Sequence, residues 1–325
     1  MTTAKYLLTG CAGFVGARTA EFLLAEGHEV VGVDNLNDYY SPALKTWRLD
    51  RLRQHPGFSF AGMDVGSRAQ VEALFARHRF DAVFNLAARA GVRASMEDPF
   101  IYQQTNAEGN LNLLESMRKT GCKKLVLAST SSLYAGRRPP FRESDPVDTP
   151  ISPYAATKRA AEVMAYTYHH LYAIDVSIVR YFTVYGPAGR PDMSPLRFIN
   201  WIDGGRPVTI FGDGRQTRDF TYIDDIARGT LLALQPVGYE IFNLGGGREP
   251  VSLMDFIGSI ERTLGRKAVL DFQPFHQADM AETAAVIEKA RTRLGWEPRV
   301  DLATGVENTV RWFKENASWL RAELD

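Results

Sequence analysis

Cysteine is scarce in this 325-residue chain, in which only Cys11 and Cys122 occur. Two cysteines do not make the disulfide framework of a small secreted protein, and their spacing is not that of a metal site. We therefore expect a reducing cytoplasm and no metal. The N-terminal apolar run is too short for the core of a signal peptide, and no stretch approaches the roughly 20 apolar residues of a membrane span. Neither export nor membrane insertion is expected.

Neither sign of charge is in excess, because Lys plus Arg number 38 and Asp plus Glu also number 38. Nucleic acids and anionic membranes attract proteins that have surplus basic residues, so neither is expected as a partner. An anionic ligand must instead be held by a few placed cations. The length suits a two-part α/β enzyme.

Short apolar runs alternate with amphipathic segments in the first half of the chain. This alternation predicts an α/β fold with a doubly wound parallel sheet of the Rossmann type. The predicted strands are Tyr6–Thr9, Glu29–Val33, Phe58–Gly62, Ala82–Leu86, Lys124–Ala128 and Asp175–Arg180. The predicted helices are Val15–Glu26, Ala69–Arg77, Thr105–Lys119 and Tyr154–Tyr172.

Gly and Pro become frequent after about Tyr181, which is typical of a smaller, irregular domain that closes over a ligand. A helix from Asp224 and Asp225 to about Leu234 is expected to return to the first domain. We therefore predict a dinucleotide-binding domain at 1–182 plus about 217–242, and a substrate domain at 183–216 and 243–325. Further helices are expected near Leu253–Leu264, Ile287–Leu294 and Ala303–Trp319.

Gly10, Gly13 and Gly16 follow the first predicted strand and open the first predicted helix. Glycines at these positions allow a tight turn and let backbone N–H groups approach a pyrophosphate at the helix N-terminus. Asp34 ends the second strand, where a carboxylate accepts hydrogen bonds from the adenosine ribose and repels a 2′-phosphate. No arginine of the kind usual in NADP sites follows in Asn35–Asn37, so NAD is the expected cofactor.

Further cofactor contacts are predicted from positions at the strand ends. Asp64 and Val65 follow the third strand, and the small residues after Leu86 let a cofactor lie flat on the sheet edge. The residues expected to contact the cofactor are Gly10, Gly13, Phe14, Val15, Gly16, Asp34, Asn35, Asn37, Asp64, Val65, Leu86, Ala87, Ala88, Thr105, Tyr154, Lys158 and Tyr181.

Tyr154 and Lys158 are four residues apart, which places both side chains on one helical face, and Ser152–Pro153 favours a helix start just before them. The pKa of tyrosine is about 10, so base chemistry near pH 7 needs a shift of about 3 units. A nearby ammonium and a positive nicotinamide ring both favour the phenolate. The hydroxyl groups of Ser129–Ser132 come at the end of a central strand, where such sheets bind ligands.

The ordered set of Gly10–Gly16, Asp34, Thr130, Tyr154 and Lys158 resembles the extended short-chain dehydrogenase/reductases. That family includes sugar-nucleotide epimerases, dehydratases and decarboxylases, and the resemblance covers nearly the whole chain. Three segments are similar, more particularly, to those of bacterial and plant UDP-glucuronate 4-epimerases. They are VDNLNDYY at 33–40, LAARAGVR at 86–93, and FTVYGP at 182–187 with GRPDM at 189–193.

The resemblance implies that Tyr154, with Thr130, removes the proton of the sugar C4 hydroxyl while hydride passes from C4 to NAD. Dehydratases carry Thr-Asp-Glu after the central strand and decarboxylases tend to carry Thr-Ser-Glu, whereas this chain has Thr130-Ser131-Ser132. Without an acid there, hydride return to the other face is the expected second step. The implied reaction is the reversible 4-epimerisation of UDP-glucuronate to UDP-galacturonate.

The resemblance also assigns the substrate contacts. A 4-keto uronate is a β-keto acid, which loses carbon dioxide when its C5–C6 bond stands perpendicular to the carbonyl plane. Neutral donors with one guanidinium can hold the carboxylate away from that alignment, whereas a Glu at position 132 would repel it. The implied substrate residues are Ser131, Ser132, Thr183 and Arg190 at the sugar acid, Arg218 and Asp279 toward the nucleotide, and Arg93.

Three alternatives remain open at this point. A UDP-glucose/UDP-galactose 4-epimerase would not depend on Arg190. A UDP-glucuronate decarboxylase is disfavoured by Ser132, and a non-catalytic NAD-sensing regulator is disfavoured because Tyr154 and Lys158 are both kept. The resemblance further implies a homodimer that packs through the segments at 105–119 and 154–172.

Overall fold

The computed structural model describes residues 3–275 and 280–324. In chain order the strands are β1 (Lys5–Thr9), β2 (Glu29–Asp34), β3 (Phe58–Gly62), β4 (Ala82–Asn85), β5 (Lys124–Thr130), β6 (Asp175–Tyr181), β7 (Thr183–Tyr185), β8 (Pro207–Phe211), β9 (Thr217–Arg218), β10 (Phe220–Tyr222), β11 (Tyr239–Leu244), β12 (Val251–Ser252) and β13 (Val269–Gln273).

The α-helices in the same order are α1 (Phe14–Ala25), α2 (Pro42–Arg53), α3 (Arg68–Arg77), α4 (Ala94–Glu97), α5 (Pro99–Tyr102), α6 (Gly109–Thr120), α7 (Pro153–Tyr172), α8 (Ser194–Asp203), α9 (Ile223–Leu232), α10 (Leu253–Leu264), α11 (Glu288–Leu294) and α12 (Leu302–Leu320). Gln103–Glu108 forms a π-helical segment, and Ser131–Tyr134 and Arg321–Glu323 form 3₁₀ turns.

Seven strands form one parallel sheet in the order β11-β6-β5-β4-β1-β2-β3. The predicted Rossmann-type sheet is confirmed, and all six predicted strands belong to it. The seventh, β11, was not predicted. The chain runs outward from β1 to β3 and then returns to the other side of β1 at β4. Such a reversal opens a crevice at the carboxyl ends of the strands, where ligands of this fold class bind.

Helices cover both faces of the sheet, because its central strands carry apolar side chains on both sides. Leu8 lies in the core shared with α1, α9 and α11, whereas Leu7 lies in the core shared with α3, α6 and α7. Both leucines are fully buried, which contributes roughly 1.5–3 kcal/mol each to folding. This packing fixes the strand ends that carry the site.

An outer lobe consists of the parallel pair β8 and β13 with α8, α10 and α12 packed on it. Helix α2, which was not predicted, joins this lobe to the sheet: Trp47 on α2 stacks on Trp319 and meets Trp312 edge to face. Helix α9 lies against α1, where Arg18 donates two hydrogen bonds to Asp224 at 2.7 and 2.9 Å.

The predicted helix at Thr105–Lys119 is wrong at its start, because Gln103–Glu108 is π-helical and α6 begins only at Gly109. Within the π-helical turn, the buried Asn106 donates to the backbone oxygen of Arg89 and to the hydroxyl of Thr157, both at 3.0 Å. These are tertiary contacts, and apolar periodicity does not encode them. In residues 3–275 and 280–324 no helix is long and apolar enough to cross a membrane.

Candidate active site

Two adjoining clefts lie at the carboxyl ends of the strands, at the reversal of strand order. The main cleft, of about 360 Å³, reaches from the glycine loop after β1 to Tyr154 and Arg190. The side cleft, of about 100 Å³, runs from the same loop past Asp34 toward Val65 and Thr105. Every residue that the sequence predicted to contact the cofactor lines one of the two clefts.

The glycine loop forms a close-fitting turn between β1 and α1. Gly10 has φ +74°, and a Cβ there would lie 2.8 Å from the backbone of Leu86 and Ala87. A Cβ on Gly16 would lie 2.0 Å from the backbone oxygen of Gly10. Helix α1 begins at Phe14 with no side-chain cap, so its first N–H groups remain available to a phosphate. This loop fits a pyrophosphate.

Asp34 ends β2 with both carboxylate oxygens oriented by the backbone. Its Oδ2 accepts a hydrogen bond from the N–H of Ala12 at 3.1 Å, and its Oδ1 accepts one from Leu36 at 2.9 Å. A carboxylate can accept about four hydrogen bonds. Asp34 can therefore accept two further hydrogen bonds, one from each hydroxyl group of a ribose, as the adenosine end of a dinucleotide requires.

Tyr154 and Lys158 lie on α7, whose start is as predicted: the Ser152 hydroxyl accepts a hydrogen bond from Ala155 N, and Pro153 occupies the first turn. Thr130, the last residue of β5, hydrogen-bonds to the phenol of Tyr154. All three line the main cleft, and Lys158 is only 4% exposed. The structure thus brings together the predicted catalytic residues.

The pKa values of these groups follow from their burial. Burial raises the pKa of Tyr154 above its usual value, while the hydrogen bond from Thr130 and the charge of Arg190 lower it. Burial lowers the pKa of Lys158 to about 8, and the carboxylate of Glu162 opposes this change. Arg190 is therefore a cation that favours the phenolate and to which the sequence assigned no such effect; the expected effect of Lys158 on the phenol stays a prediction.

The main cleft has basic but no acidic lining residues. Lys158 and Arg190 are its cations, and among the described residues no Asp or Glu lines it. Neutral hydroxyl groups face the same space from the 3₁₀ turn after β5 and from β7, namely Ser131, Ser132 and Thr183. Such a set suits an anionic ligand that is held by directed hydrogen bonds.

Not every predicted substrate residue lines these clefts. The guanidinium of Arg93 lies over the ring of Phe211, 4.0 Å from its centroid. Arg218 lies in β9 and donates to the backbone oxygen of Thr217 at 2.8 Å. Neither is among the lining residues, and Asp279 lies outside the described residues.

Sequence reasoning assigned no role to four side chains at this site. Tyr39 and Tyr40 line both clefts, and Lys45 on α2 lines the side cleft. The buried Arg48 on α2 donates to the backbone oxygens of Ala12, Ala188 and Gly189 and to the hydroxyl of Tyr40. For Tyr39 and Tyr40 the sequence did contain a signal, because both belong to the segment at 33–40 that carries the family resemblance.

A third groove, of about 550 Å³, lies behind α1 and is lined by α2, α9 and α12. It is larger than either cleft, but several of its charged residues are paired with one another, as in the contact of Arg51 with Glu21 at 3.3 Å. It contains neither Tyr154 nor the glycine loop. The candidate active site is therefore formed by the two clefts at the strand ends and not by this groove.

Comparison with known proteins agrees with this geometry. The sequence profile of the NAD dependent epimerase/dehydratase family matches residues 6–245. A UDP-glucuronate 4-epimerase of Thermodesulfobacterium geofontis is 56% identical over 317 residues, which cover 98% of each chain.

Solved structures are similar over almost the whole length. The Bacillus cereus UDP-glucuronic acid 4-epimerase, in complex with UDP-glucuronic acid and NAD, is 37% identical with a TM-score of 0.90, covering 96% of this chain and 99% of that chain. The UDP-glucose 4-epimerase of Thermotoga maritima is 31% identical with a TM-score of 0.88, covering 96% and 99%. The chain belongs to the NAD dependent epimerase/dehydratase family.

Proposed function

We propose that this chain is an NAD-dependent enzyme that interconverts UDP-glucuronate and UDP-galacturonate by 4-epimerisation through a 4-keto intermediate. The observation that carries this proposal is the composition of the main cleft. Arg190 and the hydroxyl groups of Ser131, Ser132 and Thr183 line the same space as Tyr154, with no acidic residue among the described lining. A neutral sugar gives no reason for a guanidinium at that place, whereas a uronate does.

NAD fits the two clefts. The glycine loop and the N-terminus of α1 would hold the pyrophosphate, Asp34 the adenosine ribose, and Lys158 the other ribose beside Tyr154. When bound, NAD supplies the acceptor of the C4 hydride and its later return. A carboxylate at position 34 disfavours the extra phosphate of NADP.

Tyr154 is the proposed base. Its phenolate removes the proton of the C4 hydroxyl as the hydride leaves C4, and the same phenol returns a proton after the hydride is added to the opposite face. Thr130 hydrogen-bonds to Tyr154 and orients the phenol, and the positive charge of Arg190 favours the phenolate. Epimerisation then requires that the 4-keto sugar rotate between the two hydride transfers.

Carboxylate restraint distinguishes this reaction from decarboxylation. The 3₁₀ turn places Ser131 and Ser132 directly after Thr130, and Ser132 Oγ lies 3.1 Å from Thr130 Oγ1. These hydroxyl groups, with Thr183 and Arg190, would hold the carboxylate near the carbonyl plane of the intermediate. The C5–C6 bond then cannot align with the carbonyl π system, and carbon dioxide is retained.

The direct experiment is to incubate the purified protein with UDP-glucuronate, without added NAD, and to follow the sugar by proton NMR. We expect UDP-galacturonate to appear, with NAD carried by the protein. A pentose nucleotide would contradict the restraint of the carboxylate. No reaction after NAD is supplied would overturn the proposal.

Arg190→Ala separates the uronate reaction from a reaction of neutral UDP-sugars. Loss of a charge-assisted contact costs roughly 1.5–3 kcal/mol, so kcat/KM for UDP-glucuronate should fall by about 10- to 100-fold or more. Turnover of UDP-glucose, if there is any, should fall less, because a neutral sugar loses only the effect of Arg190 on the pKa of Tyr154 and no carboxylate contact. Equal losses on both substrates would contradict a carboxylate-binding role for Arg190.

We further propose that the chain consists of a cofactor domain at 1–182 plus about 217–242 and a substrate domain at 183–216 and 243–325. We also propose that the protein is cytoplasmic and forms a homodimer. Three large apolar side chains on one face of α7 are more than a third exposed, namely Val163, Tyr166 and Leu171. Burial of this face against the same face of a second copy is the proposed dimer contact. Sedimentation analysis should give twice the chain mass of 36.3 kDa. Both cysteines are free and buried, which suits a reducing compartment.

A further inference from the structure

Arg190 belongs to a four-residue turn that ends directly before α8. The N–H of Met193 donates to the backbone oxygen of Arg190 at 3.3 Å. Pro191 occupies the second position of the turn, where its fixed φ is favourable. Asp192 occupies the third, so a short and stiff connection joins the aspartate to the arginine.

The guanidinium of Arg190 is held along one edge. Its Nε donates to Asp192 Oδ1 at 3.0 Å, and its Nη2 donates to Asp192 Oδ2 at 2.5 Å and to the backbone oxygen of Ala90 at 3.0 Å. The rings of Tyr39 and Tyr40 lie 5.6 and 5.8 Å from the guanidinium carbon. These contacts use every N–H of Nε and Nη2. Among residues 3–275 and 280–324, no partner for Nη1 is found.

Asp192 itself stands behind Arg190. It is absent from the lining of the main cleft, as are all other acidic residues in the described part of the chain, whereas Arg190 does line it. The side chain of Asp192 is 31% exposed and that of Arg190 is 18% exposed. The aspartate therefore contacts the guanidinium from the side that is away from the cleft.

We propose that Asp192 is a positioning residue that determines specificity: it holds Arg190 so that Nη1 is presented to the carboxylate of the uronate. This inference rests on the proposed function. Without Asp192, the long side chain of Arg190 gains rotational freedom, which must be lost again when the uronate binds. The contact would also lose its direction.

Removal of Asp192 also has an effect that would strengthen the binding of the uronate. Asp192 is negative and would repel the uronate carboxylate across the guanidinium, so its removal could strengthen binding. Partial exposure to solvent screens this repulsion, and the two carboxylates lie on different edges of the same cation. A hydrogen bond to Ala90 alone does not fix the plane of the guanidinium. We therefore infer that orientation outweighs repulsion.

The test compares Asp192→Ala with the wild-type protein by calorimetry, with UDP-glucuronate and UDP-glucose as the two ligands and NAD present at saturation. We expect the Kd of UDP-glucuronate to rise about tenfold, the equivalent of one lost charge-assisted hydrogen bond, and the Kd of UDP-glucose to stay within about twofold. Asp192→Asn, which keeps one acceptor oxygen, should give an intermediate rise. Glu307→Gln, at an exposed ion pair on α12, is the control for loss of one negative charge.

A double variant makes the test specific. In an Arg190→Ala background, removal of Asp192 should no longer change the Kd of UDP-glucuronate, because the side chain that it positions is gone. If Asp192→Ala binds UDP-glucuronate more tightly than the wild-type protein does, the lost repulsion between the two carboxylates outweighs the lost orientation of Arg190, and the inference is overturned. An equal rise in the Kd of both ligands would overturn it too. A wild-type protein that does not prefer UDP-glucuronate would instead overturn the proposed function.

Discussion

Glu162 and Arg180 form a two-point ion pair between α7 and the sheet, with Arg180 Nε 2.9 Å from Glu162 Oε1 and Nη2 2.7 Å from Oε2. Both side chains are almost fully buried. Ser129, next to Thr130, donates to Glu162 Oε1 at 2.7 Å, and Glu162 lies one helical turn beyond Lys158. The pair therefore anchors the segment that carries the proposed catalytic groups.

Glu162→Gln should destabilise the protein strongly. Removal of one partner leaves Arg180 buried and uncompensated, which costs about 3–5 kcal/mol in comparable cases. Urea denaturation measures the free energy of unfolding. The control is Glu307→Gln, which breaks an exposed pair with Arg311 and should change that free energy by about 0.5 kcal/mol or less. Equal stability of both variants would show that the buried pair contributes little.

Lys158→Met should abolish turnover and should raise the free energy of unfolding of the NAD-free protein at neutral pH. Burial lowers the pKa of Lys158 from about 10.5 in the unfolded chain to about 8 in the folded protein. The folded state therefore binds this proton less tightly than the unfolded state does, and below pH 8 that difference costs on the order of 3 kcal/mol. Methionine removes the cost.

The pH dependence of that difference supplies its check. As pH falls from about 10.5 to 8, the lysine lowers the stability of the wild-type protein progressively, and below 8 the effect is constant. The advantage of the methionine variant in urea denaturation should thus be full at pH 7 and much smaller at pH 10. An advantage that does not change with pH would mean that packing, and not the charge, is responsible.

Tyr154→Phe should stop catalysis while leaving the site intact. The ring meets Tyr102 edge to face at 6.2 Å, and phenylalanine keeps that contact. Loss of the phenol removes the proposed base, so kcat should fall by at least about 10²- to 10⁴-fold, with the Kd of UDP-glucuronate changed only a few-fold. Tyr166→Phe is the control, because Tyr166 on the same helix lies outside both clefts and phenylalanine keeps its ring for the proposed dimer contact; this variant should retain full activity. Substantial turnover by Tyr154→Phe would assign the proton transfer to another group.

The sequence predicted the Rossmann half well because its signals are local. Apolar runs in the sequence located six of the seven strands of the central sheet, and Ser152–Pro153 located the start of α7. Helix α2 was missed because two of its buried positions, Lys45 and Arg48, are cations, and these break the apolar pattern that marks an amphipathic helix.

Contacts between segments that are distant along the chain could not be predicted from the sequence. The order of Gly10, Asp34 and Tyr154 along the chain predicted that a site exists, and the structure places them along the same strand ends. The pairing of Arg48 with Ala188, 140 residues away, has no local signal. Neither has the effect of Arg190 on the pKa of Tyr154, which depends on how the loop after β7 folds back over the sheet.

Arg48 connects the cofactor loop to the loop that carries Arg190. Its Nη1 donates to Ala12 O at 3.0 Å and to the hydroxyl of Tyr40 at 2.8 Å, while Nε and Nη2 donate to Ala188 O at 3.1 and 2.7 Å. Nη2 also donates to Gly189 O at 3.1 Å, so all five N–H groups are used. Ala188 has φ +55°, a conformation that is unfavourable for alanine and that these bonds help to hold.

Arg48→Met should therefore weaken both ligands together. It leaves buried carbonyl oxygens without donors, at about 1–3 kcal/mol each, and frees both loops to move. We expect NAD to be lost on gel filtration and the Kd of UDP-glucuronate to rise, measured by absorbance and calorimetry. Arg51→Met, an exposed arginine on the same helix that pairs with Glu21, is the matched control and should keep NAD. If the two variants retain NAD equally, the connection through Arg48 does not couple the two loops, and each loop is held by its own contacts.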